Sequence, residues 1–395
     1  MSAQRKTSVA VVFGGRSVEH DVSIVTAHQI MRAFDRNRHD VTPVYIDREG
    51  RWFTGEPLLE LNAFKNDAQN LAGVVQAVLS PAVQHHGLIV NPTPSGLLAK
   101  SAVKRIDVVF PAIHGTHGED GTLQGLLELA DIPYVGCGVL ASAIANDKAM
   151  TKTLLRAAGI PVVDSVNFTR SEWLTNPEQV IARAGSALKY PLFVKPATLG
   201  SSIGIGRAVD EPMLRAYIDL AAGFDEHLLV ESAVENAVEI NCSVLGMGSA
   251  MQASVLEQPL SWQEFLTYEE KYLRGGEGMK SAERIIPAPL TPELTERVQQ
   301  LALDAFRAIG GRGIARIDFL IQPDAGVVFL NEINTMPGSL SFYLWKETGI
   351  SQTALVERLV QVARDAYAEK RRNTYNYQTS LVALTAERGL KGMKK

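Results

Sequence analysis

The chain has 395 residues, enough for two or three domains, and 43 acidic against 39 basic residues give a net charge of −4. This balance excludes a protein that binds duplex nucleic acid by bulk electrostatics, while 46% hydrophobic and 21% charged residues are typical of a globular protein. Two cysteines make no disulfide framework, and no apolar run approaches the roughly 18 residues of a membrane span. We therefore expect a cytoplasmic protein with neither nucleic-acid nor membrane partners.

The first part of the chain predicts a parallel, doubly wound α/β sheet. An apolar run ends in Gly14-Gly15 and is followed by a helical segment and a second apolar run, an order typical of such sheets. Residues 51–100 have a weaker pattern and predict an insertion of short helices and loops. The remaining predicted elements here are strands at 8–13, His39–Ile46, Val108–Ile113 and Tyr134–Val135, and helices at Val18–Phe34 and Thr122–Ala130.

From about Asn146 the pattern changes to an α+β arrangement. Helix Lys148–Ala158 is closed by Gly159 and Pro161, which together form a stop signal. Further elements are predicted at Leu192–Lys195, Leu228–Val230, Pro292–Ile309 and Thr353–Glu369, and the tail from Arg371 is expected to be peripheral or poorly ordered. We predict domains at 1–145, 146–237 and 238–370, with 371–395 as a peripheral tail.

The most informative segment is Gly313–Gly338, which reads GIARIDFLIQPDAGVVFLNEINTMPG. Two apolar strands flank a turn, and polar residues interrupt each strand at alternate positions, so that each pair shares one face. If residues 324–326 form a three-residue hairpin loop with Gly326 left-handed, Asp318 lies opposite Glu332 and Arg316 lies opposite Asn334. A two-residue loop would instead separate the pairs onto opposite faces.

The first register places two carboxylates beside an amide oxygen. These are the hard oxygen ligands that magnesium takes next to phosphates, whereas two carboxylates buried without a cation would raise each other's pKa. The alternative is a half-exposed hairpin with a solvated polar face. Since all four polar residues are followed by Thr-Met-Pro-Gly, we favour a metal site formed by Asp318, Glu332 and Asn334.

A second candidate is the glycine-serine loop Lys195–Gly206, which reads KPATLGSSIGIG after a predicted strand. Glycines allow close backbone approach to phosphate oxygens, the hydroxyls of Ser201 and Ser202 can donate to them, and Lys195 supplies a positive charge. The loop has neither the order of a P-loop nor GxGxxG, and a merely flexible hairpin is the competing interpretation. Together with the oxygen-ligand cluster, it indicates a phosphate site.

Three further segments carry possible chemistry. His114–Gly121 (HGTHGEDG) follows a strand, at the edge where open α/β sheets bind ligands, although Asp120 is best explained as a helix cap. Glu19 follows the Gly14-Gly15 turn and could receive an amine or simply complement the helix dipole. Tyr268–Tyr272 (YEEKY) lies in a glycine-rich, charged stretch that resembles a mobile lid or a solvated loop.

These motifs, in this order, resemble the ATP-grasp superfamily and within it the D-alanine–D-alanine ligases. The resemblance covers roughly residues 8–370. It is carried by FGGRSVEHDVS (13–23), HGTHGEDGTLQGLLE (114–128), NDKAMTK (146–152), KPATLGSSIGIG (195–206), YEEKY (268–272), RIDF (316–319) and NEINTMPG (331–338). The family fold implies a Rossmann-like N-terminal domain, followed by a small ATP-grasp subdomain with the phosphate loop and a large one with the metal site and lid.

The resemblance also implies roles for individual residues. Glu19 would hold the ammonium of the first D-amino acid with His114 nearby, and Ser201 would hydrogen-bond toward Glu19 and Tyr272 to cover the site. Arg316 and the backbone N–H of Gly338 would stabilise the tetrahedral oxyanion. The implied ATP-binding residues are Lys148, Lys195, Ser202, Glu231, Glu239 and Lys271.

The same resemblance implies the reaction and its cofactors. ATP would phosphorylate the carboxylate of one D-alanine to an acyl phosphate, which the amine of a second D-alanine attacks, giving the dipeptide for peptidoglycan precursors. Two Mg²⁺ or Mn²⁺ ions would be held by Asp318, Glu332 and Asn334. The family further implies a homodimer and small amino-acid substrates.

Two departures from the family pattern affect the substrates. Where the family has a serine that helps bind the acceptor carboxylate, this chain has Tyr343, followed by Leu344. Glu231-Ser232-Ala233 also replaces a usual lysine and bulky residue beside the adenine. A ligase with a different acceptor therefore stays open, as does a nucleotide-binding regulatory protein without turnover. An NAD-dependent oxidoreductase is disfavoured because GxGxxG is absent.

Overall fold

The computed structural model describes residues 5–65, 67–91, 100–200, 202–260, 284–375 and 379–388. Three sheets organise this part of the chain, and helices cover their faces. None of its helices is long and apolar enough to cross a membrane. The helices are α1 (His20–Ala33), α2 (Thr122–Leu129), α3 (Val139–Asn146), α4 (Lys148–Ala157), α5 (Arg170–Thr175), α6 (Pro177–Ala187), α7 (Glu211–Ala222), α8 (Pro292–Ala308), α9 (Phe342–Glu347), α10 (Gln352–Lys370) and α11 (Leu381–Arg388).

The first sheet has seven strands in the order β6-β5-β4-β3-β2-β1-β7. Only β1 pairs in parallel with both neighbours, β2 and β7, and the other pairs are antiparallel. The strands are β1 (Thr7–Gly14), β2 (His39–Ile46), β3 (Trp52–Thr54), β4 (Val75–Leu79), β5 (Gly87–Val90), β6 (Ala102–Arg105) and β7 (Val108–Pro111).

The prediction of short helices and loops for residues 51–100 is therefore partly wrong. Short 3-10 helices occur between residues 56 and 70, but β3, β4 and β5 extend the sheet by antiparallel pairing. Much of β4 is exposed, so its residues lack the clean alternation of apolar and polar side chains that marks a half-buried strand. The predicted strand–turn–helix–strand order up to Ile46 is confirmed, with α1 beginning two residues later than expected.

The second sheet is small and entirely antiparallel, in the order β10-β9-β11-β8. Its strands are β8 (Ser165–Thr169), β9 (Leu192–Pro196), β10 (Gly206–Ala208) and β11 (His227–Ser232). Helix α4 begins where the Asp147 side chain accepts hydrogen bonds from two first-turn N–H groups, and α5 begins with a capping box formed by Thr169 and Glu172.

The third sheet has five antiparallel strands in the order β14-β13-β12-β15-β16. They are β12 (Val238–Gly246), β13 (Gln252–Pro259), β14 (Arg284–Ile285), β15 (Gly313–Gln322) and β16 (Val327–Asn334). The predicted pairings of Asp318 with Glu332 and of Arg316 with Asn334 are both confirmed. Gly326 is left-handed, with φ of 63°, as expected.

The predicted route to that pairing is wrong. Gln322 pairs with Val327, so the loop has four residues and shifts the register by one. A bulge then restores the register, because Phe319 pairs with Leu330 while Asp318 pairs with Glu332, which leaves Asn331 as the extra residue. Two one-residue errors in the simple hairpin interpretation thus cancel before the polar pairs are reached.

One hydrophobic core is shared between the two ends of the chain. It packs Val9, Val11 and Phe13 of β1 and several α1 residues against Leu340, Trp345 and the apolar face of α10. The second sheet, by contrast, has a separate core built from residues of β8–β11 and α5–α7. The N-terminal sheet and the C-terminal helices are consequently packed as one body, and residues 165–232 as another.

Candidate active site

A cavity of about 230 Å³ lies where the three parts of the chain meet. Residues predicted from five separate motifs line it, and they are Glu19, His114, Lys148, Arg316, Glu332, Asn334, Gly338 and Tyr343. Arg284, which was not predicted, lines it as well. The structure therefore brings these eight predicted residues together, whereas the predicted Asp318, Lys195, Ser202, Glu231, Glu239 and Leu344 are not among the lining residues.

The hairpin contributes the carboxylate cluster, which we define as Arg316, Asp318, Glu332 and Asn334. Arg316 donates from Nε and Nη2 to the two oxygens of Asp318, at 2.7 and 2.6 Å. Asn334 donates from Nδ2 to Asp318 Oδ2 at 2.9 Å and to Glu332 Oε1 at 3.4 Å. The predicted oxyanion-binding guanidinium is thus fixed in place by a predicted metal ligand.

The cluster fits a divalent cation electrostatically. Burial raises the pKa of Asp318 to about 7 against the pull of Arg316, and the Glu332 carboxylate adds to the rise. Burial also opposes ionisation of Glu332, but Lys148, Arg316 and Lys195 outweigh it and hold its pKa below the usual value. Glu332 and Asn334 line the cavity and Asp318 is buried in contact with Asn334, which together make the donor set that Mg²⁺ or Mn²⁺ takes.

Helix α4 and the second sheet together contribute the lysine cluster, which we define as Lys152, Lys195 and Glu231. Glu231 is 1% exposed and lies between the two ammonium groups: Lys195 Nζ contacts Oε1, and Lys152 Nζ is 3.0 Å from Oε2. Burial would raise the pKa of Glu231, but the two lysines outweigh it and lower that pKa to about 2. Burial and the neighbouring Lys195 lower the pKa of Lys152.

This arrangement differs from the role that the resemblance implies for Glu231. Its carboxylate was expected to recognise the nucleotide, yet both of its oxygens contact buried lysines. Glu239, the other expected carboxylate, is exposed on β12. Direct contact of either carboxylate with ATP stays a prediction, and Glu231 is in any case an ionic partner of Lys195.

The phosphate loop is anchored at its first residues. Lys148 Nζ donates to the carbonyl of Leu199 at 2.7 Å, and the Thr198 N–H and hydroxyl both donate to Asp225 Oδ2 at 2.8 Å. Ser202 has a left-handed backbone, with φ of 60°. The other residues predicted here and in the lid, Ser201, Lys271 and Tyr272, lie outside the described residues.

Glu19 lies at the N-terminus of α1 and lines the cavity. The backbone of Gly115 approaches it closely: a Cβ on this glycine would be 2.7 Å from Glu19 Oε2, and its φ of +68° also disfavours a side chain. His114 is buried, with Nε2 3.0 Å from Thr26 Oγ1 and Nδ1 3.5 Å from Glu119 Oε1. The histidine therefore supports the cavity wall through fixed neighbours.

Gly338 begins a strained turn. The next three residues, Ser339 to Ser341, have left-handed backbones with φ between 48° and 52°, an uncommon run for residues with side chains. The N–H of Ser339 donates to Thr26 Oγ1 at 3.4 Å, which ties the turn to α1. The predicted oxyanion donor, the Gly338 N–H, is thus held between the two ends of the chain.

Past this turn, Tyr343 lines the cavity but Leu344 does not. Leu344 is 0% exposed within the core, because consecutive residues of α9 project in different directions. The side chain of Leu344 therefore lies away from the cavity, and its predicted part in substrate binding stays a prediction. Tyr343 donates its hydroxyl to Glu257, a buried residue of β13 that the sequence did not mark.

The comparisons with known proteins agree with this geometry. Residues 8–137 match the family model for the D-ala D-ala ligase N-terminus, and residues 154–361 match the model for its C-terminus. A D-alanine–D-alanine ligase of Heliobacterium modesticaldum is 41% identical over 93% of this chain and 97% of its own length.

Solved structures with the same fold include two ligases. VanG D-Ala:D-Ser ligase from Enterococcus faecalis has a TM-score of 0.78 and 32% identity, over 91% of this chain and all of its own. The D-alanine-D-alanine ligase from Coxiella burnetii has a TM-score of 0.76 and 29% identity, over 98% of this chain and 99% of its own. The ATP-grasp architecture expected from the motifs is therefore confirmed.

Proposed function

The chain belongs to the D-alanine–D-alanine ligase family, and from this premise we propose which of its residues carry out the reaction. The protein is an ATP-dependent ligase that joins two D-alanines through an acyl phosphate for peptidoglycan precursor synthesis. The roles of single residues below are proposals. What supports them most is one cavity lined by Glu19, Arg316, Glu332, Asn334 and Gly338 together.

We propose that the first D-alanine binds with its ammonium at Glu19. The carboxylate of that D-alanine then lies toward Arg316, and Lys148 and Lys195 hold the ATP phosphates. Positioning and charge neutralisation contribute most of the rate in phosphoryl transfer, so fixed lysines at this place suit the step. Ions held by Asp318, Glu332 and Asn334 would supply further charge neutralisation on the phosphates.

The second step needs donors for a developing oxyanion. We propose that Arg316 and the Gly338 N–H provide them when the amine of the second D-alanine attacks the acyl carbon and phosphate leaves. Arg316 is preorganised by its two bonds to Asp318, and the Gly338 turn by its tie to Thr26. Donors fixed before the reaction need no reorganisation in the transition state.

The acceptor is the part of the reaction in which this chain departs most from the family pattern. Incubation with ATP, magnesium and either D-alanine alone or D-alanine with D-serine or D-lactate, followed by phosphate release and product mass, tests it. D-alanyl-D-alanine from D-alanine alone is the expected product. Phosphate release only with a mixed pair would contradict the proposal. We further propose a cytoplasmic homodimer, which sedimentation of the purified protein would test.

A further inference from the structure

Glu257 is the centre of a buried polar network beside the cavity. It is 2% exposed and accepts hydrogen bonds from the Tyr343 hydroxyl and from Asn241 Nδ2 at 3.2 Å, while Arg284 Nη1 lies 3.3 Å from its Oε2. Asn241 and Glu257 are directly paired residues of β12 and β13. The carboxylate is therefore held by groups from three separate segments, namely β12, β14 and α9.

Arg284 is the member of this network with donor capacity left over. Its guanidinium stacks on the Tyr343 ring, 4.1 Å from the centroid, and its side chain is 25% exposed and lines the cavity. A guanidinium has five N–H donors, and within the described part of the chain this one makes a single hydrogen bond, to Glu257. Stacking and that one bond hold the side chain while using only one of its donors.

The charges in the cavity favour a carboxylate as its ligand. An acceptor amino acid carries a carboxylate that takes no part in the reaction and needs a cation when it leaves water. Among the described residues, the cations lining the cavity are Lys148, Arg284 and Arg316. Arg316 is engaged by both oxygens of Asp318, and Lys148 donates to Leu199 and neighbours Glu332.

We propose that Arg284 binds the carboxylate of the acceptor amino acid, and that Glu257 and Tyr343 position its guanidinium. This inference rests on the proposed function, since it assigns one end of the same cavity to the second substrate. It also gives Tyr343 a task that the family's serine does not have. The tyrosine supports an arginine through its ring and hydroxyl, and the arginine makes the ionic contact.

The chain contains a matched control. Arg312 stacks over Tyr134 at 4.6 Å, the Tyr134 hydroxyl donates to Glu128 at 2.7 Å, and Arg312 lies 3.9 Å from the same carboxylate. This second Arg–Tyr–Glu unit repeats the chemistry of the first, but its residues are not among those that line the cavity. Arg312→Met removes an equivalent guanidinium without touching the proposed subsite.

The test is a competition between two acceptors. D-alanine and D-alaninamide, at equal concentration with ATP and magnesium, give D-alanyl-D-alanine and D-alanyl-D-alaninamide, which mass spectrometry separates. The amide lacks the carboxylate, so it serves only as acceptor, and both products share one donor and one nucleotide. The ratio of dipeptide to dipeptide amide therefore reports acceptor recognition alone. The two amines differ in intrinsic reactivity, but this difference is the same for every variant and does not affect a comparison between variants.

We expect Arg284→Met to lower this ratio about 10- to 100-fold, the usual range for a lost charge-assisted hydrogen bond. Tyr343→Phe keeps the stacking ring and should lower it about threefold to tenfold, while Arg312→Met should leave it unchanged. An unchanged ratio in both Arg284→Met and Tyr343→Phe, or a raised KM for ATP in Arg284→Met with no change in ratio, would overturn the proposal. Failure of the unsubstituted protein to make either product would instead contradict the proposed function.

Discussion

The lysine cluster and the carboxylate cluster are buried groups of charged side chains with net charges of opposite sign. Lys152 and Lys195 set two positive charges against the single carboxylate of Glu231, which leaves +1. With Asp318 and Glu332 both ionised, as a bound cation would favour, Arg316 sets one positive charge against two carboxylates, which leaves −1. Neither cluster is therefore neutral by itself. Lys195 Nζ lies 3.5 Å from Asn331 Oδ1 on the hairpin, so the lysine cluster and the carboxylate cluster are adjacent.

This difference in net charge suits the proposed binding of a nucleotide together with its metal ion. Buried groups with an unbalanced charge are costly unless a partner supplies the missing one. On the proposed assignment, ATP phosphates would complement the lysine cluster and a divalent cation would complement the carboxylate cluster, so the nucleotide and its metal would compensate both charges at once. A substitution that changes the net charge of either cluster should therefore have a measurable effect on stability or on turnover.

The largest expected effect is on stability, from Glu231→Gln. This change leaves two ammonium groups together without their carboxylate, and breaking a buried ionic group typically costs about 3–5 kcal/mol in free energy of unfolding. Urea unfolding measures it. Glu211→Gln, in a half-exposed pair with Arg215, should cost less than about 1 kcal/mol. Equal costs for the two variants would contradict the contribution of burial.

Glu231→Gln should also change how the free energy of unfolding depends on pH. In the folded protein the pKa of Glu231 is about 2, below its ordinary value of 4.5. Its stabilising contribution is therefore complete above about pH 4.5 and is lost as the pH falls toward 2. The unfolding free energy of the unsubstituted protein should decline more steeply over this window than that of Glu231→Gln. Parallel pH profiles would be the contrary result.

Glu332→Gln should act on turnover rather than on folding. It removes the excess negative charge of the carboxylate cluster, and we expect phosphate release with D-alanine to fall at least about 100-fold, because a proposed metal ligand would be lost. The free energy of unfolding should change by less than about 1 kcal/mol. Asp324→Asn, the same charge change in the exposed loop of the same hairpin, is the matched control.

Equal losses of turnover and stability in Glu332→Gln would indicate a structural hairpin with no metal-binding task. Normal turnover in that variant would contradict the metal site itself. Asp324→Asn should match the unsubstituted protein in both measurements.

Lys152→Met should give the smallest effect, and it changes the net charge of the lysine cluster alone. It reduces the lysine cluster from +1 to neutral while Glu231 keeps Lys195 as its partner, so no buried charge is left alone. We expect the KM for ATP to rise about 10-fold with a smaller change in kcat, since a charge that acts through Lys195 is lost. A fall in kcat with an unchanged KM would show that Lys152 has another task.

The sequence predicted the pairing of the carboxylate cluster because side chains two apart on a strand share a face. It could not predict the four-residue loop or the bulge at Asn331, since neither has a distinctive residue pattern there. Lys152 was missed because a lysine on a helix is expected to be exposed, whereas here a carboxylate from another strand compensates its burial. Arg284, Glu257 and Asn241 meet only through sheet pairing, so no local motif marks them.

The shared core has a consequence for how the cavity opens. Because β1 and α1 pack with Leu340, Trp345 and α10, Glu19 and the Gly338 turn are parts of one rigid body, which Thr26 also bridges. Residues 165–232 have their own core and carry Lys195 and Glu231. We expect the nucleotide to enter by a hinge rotation of this second body, while the amino-acid end of the crevice keeps its shape throughout the catalytic cycle.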